Sequence, residues 1–196
     1  MVKEIMIIML AILILPTLAW ADKAQSKAFH QEQKATRQAH WAQQKGENQD
    51  FRSTLKDMPK DQREAARLAH RNEQFTENKA FRAEQHEKRT AFLNEKLAAN
   101  KNLTEAQKAE ILSHRQTQYG ENQAFREQRH VDNTAYFQKI ANDTTLSPAQ
   151  KKEVLKSYME QQKTLKQQHF EGQRNENKAF RDQMHQDKTS NQTPPQ

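Results

Sequence analysis

Apolar residues are unevenly distributed along the chain of 196 residues. Residues 5–15 are wholly apolar, whereas the remainder carries apolar side chains in short groups at helical spacing. Phe81 and Phe92 are eleven residues apart, and so are Phe125 and Tyr136. Because eleven residues make about three turns of helix, each pair lies on one stripe. The narrow stripe predicts long helices and no sheet.

Helical spacing and the turn-like residues between stripes predict an all-α fold of elongated, kinked long helices. These would form antiparallel hairpins or a thin bundle. The helical repeat domain would cover residues 22–188, and the polar tail at 189–196 is expected to be disordered. The predicted helices cover roughly 22–56, 60–99, 104–142 and 147–188.

A nonapeptide of the form Gln-x-x-Glu-Asn-[Lys/Gln]-[Ala/Asp]-Phe-Arg recurs along the chain, which indicates repeated helical units. Its four copies are QKGENQDFR (44–52), QFTENKAFR (74–82), QYGENQAFR (118–126) and QRNENKAFR (173–181). The third position holds Gly46, Thr76, Gly120 or Asn175, residue types that helices use at caps or kinks. We interpret this position as a kink or a helix–helix junction.

The N-terminus has the pattern of a cleaved signal peptide over residues 1–21. Lys3 precedes the apolar run, and Ala19, Trp20 and Ala21 form a small-x-small cleavage site. The run is interrupted at Pro16 and is short for a membrane span, which needs about 20 residues. We therefore expect export to the periplasm, with no transmembrane segment after cleavage.

Composition restricts the function further. Hydrophobic residues are 34% of the chain and cysteine is absent, so helix packing has to hold the fold without disulfides. The formal net charge of +7 favours acidic partners, anionic lipid or simple solubility. Because the chain is predicted to be exported, we expect no nucleic acid among its partners.

Two related pentapeptides, LTEAQ at 103–107 and LSPAQ at 146–150, predict helix starts. Thr104 and Gln107 have the spacing of a capping box, in which each side chain bonds to the other residue's backbone N–H. Ser147 and Gln150 repeat that spacing. The residues that precede these caps can fold over the first turn as a hydrophobic staple, and they are Leu103 and Leu146.

A third copy of the pentapeptide, MPKDQ at 58–62, has Pro59 where the hydroxyl should be. Its cap is expected to be rearranged through Asp57.

Repeated Leu-Thr-x-x-Gln in a small, exported, cysteine-free helical chain resembles the LTxxQ-motif family of periplasmic proteins, the Spy/CpxP-like envelope-stress chaperones. The matching residues are Leu103, Thr104 and Gln107, and Leu146 and Gln150 with Ser147 in place of Thr. The resemblance implies kinked helical hairpins, often paired as a dimer into a cradle. It also implies that unfolded or acidic proteins bind to basic and apolar side chains.

The Phe-Arg pairs that end the nonapeptides are the candidate client surface. They are Phe51 and Arg52, Phe81 and Arg82, Phe125 and Arg126, and Phe180 and Arg181. Neighbouring helical residues diverge by about 100°, so each Arg would line the rim of a cleft that its Phe faces. The alternative is that the Phe residues are the core of a thin bundle.

Other chemistry has little support in the sequence. His86, His130 and His185 each follow a nonapeptide Phe by five residues, but no two of the eight histidines have the i, i+3 or i, i+4 spacing of helical metal ligands. No catalytic motif or phosphate loop is present, so we predict no enzyme, cofactor or metal site. The predicted function is an ATP-independent periplasmic chaperone or envelope-stress adaptor, with a homo-oligomer such as a dimer left open. The alternatives are a scaffolding repeat protein of the cell envelope and a periplasmic metal-responsive sensor.

Overall fold

The computed structural model describes the backbone of residues 2–190 and the side chains of residues 23–187. Within that part of the chain there are four α-helices and no strand, which confirms the predicted all-α fold. Scarce glycine and proline and abundant Gln, Lys, Glu and Ala allow the helices to run this long. The helices are α1 (Val2–Asp57), α2 (Arg63–Ala99), α3 (Glu105–Asn142) and α4 (Pro148–Ser190).

Two predicted segments lie at the ends of this description. The signal peptide at residues 1–21 lies outside the residues whose side chains are described, and residues 191–196 of the predicted tail lie outside the described chain. Among the described residues, no helix carries an apolar stretch long enough to cross a bilayer.

The chain forms two compact units, Met1–His70 and Arg71–Gln196. In the first unit the start of α2 packs beside the end of α1, where Phe51 stacks on His70 with ring centroids 3.9 Å apart. In the second unit α3 packs against both the rest of α2 and α4. Both helix pairs are antiparallel. Later residues of one helix contact earlier residues of the other, as His114 with Phe180 and Phe125 with His169 show. The stacked ring pairs between α3 and α4 are His114 with Phe180, Phe125 with His169, and Tyr136 with Tyr158.

The predicted capping boxes begin α3 and α4. Gln107 N donates to Thr104 Oγ1 at 3.2 Å, and Thr104 N donates to Gln107 Oε1 at 3.0 Å. Ser147 N donates to Gln150 Oε1 at 2.8 Å, with a longer return bond of 3.4 Å from Gln150 N to Ser147 Oγ. Both helix starts therefore satisfy backbone groups that would otherwise lack partners.

The turn between α1 and α2 is closed differently from the prediction. Asp57 is the last residue of α1, and its side chain makes no hydrogen bond with the described residues, so the proposed cap is wrong. Instead, Arg63 donates from Nε to Met58 O at 2.9 Å and from Nη2 to Lys56 O at 3.0 Å. One arginine from the first turn of α2 thus satisfies carbonyls at the C-terminus of α1.

The nonapeptides all lie inside continuous helices. No glycine has a positive φ, and nothing lies within 4 Å of a Cβ placed on Gly46 or Gly120. The interpretation of the third position as a helix–helix junction is therefore wrong. Helix-compatible geometry at glycine simply lets the helix continue.

The interior of the helix pairs is mostly polar. Among the described side chains only Leu97 and Ile140 are buried and apolar. Seven glutamines are buried instead: Gln33, Gln44, Gln85, Gln107, Gln118, Gln162 and Gln173. Three pairs of them are eleven residues apart, so the stripe seen in the aromatic residues also carries a buried amide.

Candidate functional site

The nonapeptide is the end of a longer motif that begins with a histidine four residues earlier. The motif is His-x3-Gln-x2-Glu-Asn-x2-Phe-Arg. Its His, Gln, Asn and Phe are spaced by four, four and three residues, so they share one helix face. The four copies cover residues 40–52, 70–82, 114–126 and 169–181.

The copies on α3 and α4 face each other head to tail and exchange rings. His114 of α3 stacks on Phe180 of α4 at 4.0 Å, and His169 of α4 stacks on Phe125 of α3 at 3.9 Å. The ring planes are within 10° and 8° of parallel. The arrangement is a local two-fold relationship between two copies of one motif.

Each stacked histidine also bonds to the Asn three residues before the partner Phe. His169 Nε2 lies 3.1 Å from Asn122 Oδ1, and His114 Nε2 lies 3.1 Å from Asn177 Oδ1. Asn122 Nδ2 donates to Gln118 O at 2.7 Å, which turns Oδ1 toward the imidazole. Because a carbonyl oxygen only accepts, Nε2 carries the proton and donates it.

The buried glutamines complete this interface. Gln118 Nε2 donates to Glu176 Oε2 at 2.7 Å, and its Oε1 accepts from Asn177 Nδ2 at 2.8 Å. Reciprocally, Gln173 Nε2 donates to Glu121 at 2.6 Å and its Oε1 accepts from Asn122 at 2.9 Å. Since both amide ends are bonded, these glutamines avoid the penalty for burying an unpaired polar group.

Helices α2 and α3 meet through a second, related arrangement. His130 of α3 stacks on Phe75 of α2 at 3.9 Å and lies 3.1 Å from Asn72 Oδ1. His86 of α2 stacks on Tyr119 of α3 at 3.7 Å and lies 3.0 Å from Gln116 Oε1. Between them, Lys79 Nζ and Glu127 Oε1 are 2.8 Å apart. Both the α2–α3 contact and the α3–α4 contact therefore contain histidines that stack on an aromatic ring and bond to an amide oxygen.

The Phe residues of the predicted Phe-Arg pairs lie at the contacts between helices. All four Phe rings are half-buried, and Phe51, Phe125 and Phe180 each stack on a histidine of the neighbouring helix. These three, Phe51, Phe125 and Phe180, therefore have the packing role that was the alternative to client binding. Phe180 also lines an open cleft.

The arginines beside these rings differ in exposure. Arg52 and Arg181 are exposed, whereas Arg82 and Arg126 are half-buried. Burial lowers the pKa of both half-buried guanidinium groups, and the nearby Arg126 lowers the pKa of Arg82 further. Arg126 Nη1 donates to Asn122 O at 3.2 Å, but the buried Nε of Arg82 has no acceptor in the described part of the chain. The guanidinium groups of Arg82 and Arg126 are therefore less accessible to a ligand than the exposed guanidinium group of Arg181.

An open cleft of about 870 Å³ lies between the start of α3 and the end of α4. Its apolar lining is Leu103, Ile111, Phe180 and Met184. Its basic lining is Arg115, Arg174, Lys178 and Arg181, with the histidines His114 and His185. Glu171 is its one acidic residue. The cleft thus combines an apolar patch with a concentration of positive charge, which suits an acidic peptide with apolar side chains.

The structure brings one predicted client pair, Phe180 and Arg181, together with basic residues that belong to no predicted Phe-Arg pair. Arg115 and Arg174 both line the cleft because α3 and α4 lie antiparallel. The spacing of residues along a single helix does not predict this alignment. Within the described residues, no three His, Asp or Glu side chains form a group that could hold a metal ion.

No family model matches this chain, and neither a curated protein nor a solved structure matches it. The resemblance to the LTxxQ-motif family remains a prediction that rests on the two pentapeptides.

Proposed function

We propose that the chain is an ATP-independent periplasmic chaperone or envelope-stress adaptor that binds unfolded, acidic protein segments in the α3–α4 cleft. The observation that carries the proposal is the lining of this cleft, which combines four cationic side chains with Leu103, Ile111, Phe180 and Met184. An extended segment with acidic and apolar residues complements both components.

The charges at the cleft are available for a client. Arg115, Arg174 and Arg181 are exposed, and their side chains form no hydrogen bond or ion pair with described residues. Charge attraction at such an open site is weak and screened by salt. Binding would therefore be reversible and would need no nucleotide to release the client.

The N-terminal pattern supports a periplasmic location. Lys3, the apolar run at 5–15 and the Ala19-Trp20-Ala21 site match the three parts of a signal peptide. Expression of the full sequence in a Gram-negative host should yield a periplasmic protein whose mass corresponds to cleavage after Ala21. Retention of the intact N-terminus in the cytoplasm would contradict this part of the proposal.

Client binding is tested by following aggregation of a chemically unfolded acidic protein with and without the chain. The double variant Arg115→Gln and Arg181→Gln should bind this client about fivefold more weakly at low salt, as expected for two exposed charge contacts of about 0.5 kcal/mol each. Helicity should not change, because neither side chain holds the fold together.

The matched control is Arg52→Gln with Lys139→Gln, which removes two exposed charges that do not line the cleft. Arg52 occupies the same motif position in α1 that Arg181 occupies in α4. If the control weakens binding as much as the cleft variant, net charge alone attracts the client. If the wild-type chain does not slow aggregation of acidic or neutral clients, the proposed function is wrong.

A scaffolding role is the second candidate. It is favoured by the recurrence of one polar helix-pairing motif along the whole described chain, since such a motif can also join separate chains. Ordered assemblies of many copies, together with no effect on client aggregation, would support it over a chaperone.

A further inference from the structure

The contact between α2 and α3 defines a lateral face that can be placed on any helix carrying the motif. This face holds the residues that follow the first histidine of the motif by 2, 5, 9, 13 and 16 residues, and we number the positions by these offsets. On α2 these include Asn72, Phe75, Lys79 and His86. On α3 they are Gln116, Tyr119, Gln123, Glu127 and His130.

The register of the α2–α3 contact is reciprocal. Position 16 of each helix meets positions 2 and 5 of the other, as in His130 with Asn72 and Phe75. Position 9 meets position 13, as in Lys79 with Glu127. A face that obeys this register can pair with an antiparallel copy of itself if its own charges are complementary.

The same positions on α4 form the α4 lateral face, and they carry charge of both signs. They are Glu171, Arg174, Lys178, Asp182 and His185. All five are exposed, and all except Asp182 line the cleft. Lys178 and Asp182 form no ion pair with any described residue, although they are four residues apart on one helix.

Applying the α2–α3 register to two α4 helices produces complementary pairs. Lys178 falls opposite Asp182 of the second copy, at the place where Lys79 meets Glu127. Glu171 falls opposite His185 of the second copy, at the place where Asn72 accepts from His130. Two-fold symmetry makes each pair occur twice.

The lateral face of α1 gives the opposite result. Its positions 5 and 16 are Lys45 and Lys56, so the same register would place lysine against lysine. Like charges directly opposed disfavour pairing. Self-complementarity therefore distinguishes α4 from α1.

We propose that a second copy of this chain docks antiparallel on the α4 lateral face in the register of the α2–α3 contact. Arg174 takes the place of Phe75 and Tyr119, and its planar guanidinium can stack on the imidazole of His185 as those rings stack on histidine. Arg181 of one copy would face Arg181 of the other copy. Arg82 and Arg126 already face each other between α2 and α3, so the fold tolerates this pairing at a cost in affinity.

The proposal concerns a surface that overlaps the proposed client cleft, but its test does not depend on client binding. The chain is expressed from its full sequence, and its mass is measured by sedimentation over a concentration series at low salt. We expect a monomer–dimer equilibrium. Lys178→Glu and Asp182→Lys should each weaken the dimer by about tenfold or more, because each converts two attractive pairs into repulsive ones.

The charge-swapped double variant, Lys178→Glu with Asp182→Lys, should dimerise about as well as the wild type. Lys166→Glu is the control, since it makes the same charge change at an exposed position of α4 outside the lateral face. A wild-type monomer at every concentration would overturn the proposal. So would a dimer that the single reversals leave unchanged, that the control weakens equally, or that the double variant does not restore. Client-holding assays on the same preparations show separately whether the proposed function fails.

Discussion

His114 of α3 and Phe180 of α4 lie parallel, with their ring centroids 4.0 Å apart. The same relationship joins His169 to Phe125 in the opposite sense. Between long helices with few apolar residues, the flat faces of imidazole and benzene supply apolar contact. The edge of each imidazole meanwhile donates to an amide oxygen.

The Phe125 ring should therefore contribute strongly to stability. We expect Phe125→Ala to lower the free energy of unfolding by about 2 kcal/mol, below the 3–5 kcal/mol of a fully enclosed ring because this one is half-buried. Urea denaturation followed by circular dichroism measures the change. Trp41→Ala is the control, since Trp41 is 64% exposed and its loss should change stability by less than about 0.5 kcal/mol. Equal effects of the two changes would refute a packing role for Phe125.

The amide network between α3 and α4 should behave as one unit. Gln118→Ala removes bonds to both Glu176 and Asn177, and we expect a loss of about 1–2 kcal/mol. Combined with Glu176→Ala, the two losses should not add, and the double-mutant cycle should give a coupling of about 0.5–1 kcal/mol. Gln167→Ala, at an exposed position on α4, is the reference for amide removal. Strict additivity would show that the bond between Gln118 and Glu176 contributes nothing.

Stability should fall in mild acid through His130. Burial lowers the pKa of this imidazole below its usual value of 6.5, and the positive charge of Arg71 lowers it further. The unfolded chain therefore binds the proton more readily, so the free energy of unfolding should decrease as pH falls through 6.5 and below. Denaturation midpoints between neutral and mildly acidic pH measure the slope of stability against pH, and His130→Gln should reduce this slope.

The control is His185→Gln, which replaces an exposed histidine and leaves the α2–α3 contact intact. If His130→Gln leaves the slope as steep as in the wild type, the histidine does not contribute to it.

Glycine inside the nonapeptides should cost stability without serving the helix contacts. Gly46 and Gly120 are helical, and an added Cβ meets nothing within 4 Å. Gly46→Ala and Gly120→Ala should each raise the free energy of unfolding by about 0.5–1 kcal/mol. Melting curves measure the gain. A loss of stability in either variant would reveal a backbone requirement that the helical geometry does not contain.

The local features of the fold could be predicted from the sequence because each depends on residues close in the chain. Thr104 and Gln107 form their capping box three residues apart, and the eleven-residue spacing of Phe125 and Tyr136 defines one helix face. The histidine at the start of each motif was within reach, since it aligns in all four copies.

The cleft could not be predicted in the same way. Arg115 and Arg174 belong to different helices, and only the antiparallel register of α3 and α4 brings both to one opening. Register here depends on pairs such as Gln118 with Glu176, which sequence periodicity on a single helix does not determine. Asp57 was misassigned for a related reason, because the turn is closed by Arg63 from the following helix.

The glutamine-rich interior has a thermodynamic consequence. Exposure of apolar surface raises the heat capacity on unfolding, whereas exposure of polar surface lowers it. With only Leu97 and Ile140 buried among the described apolar side chains, the increment should fall below the usual value of about 12–15 cal/mol/K per residue. The stability curve should then be flat, so the chain should unfold over a broad temperature range rather than abruptly. Its unfolded form would also expose little that attracts other unfolded chains, so it should refold after heat shock without aggregating.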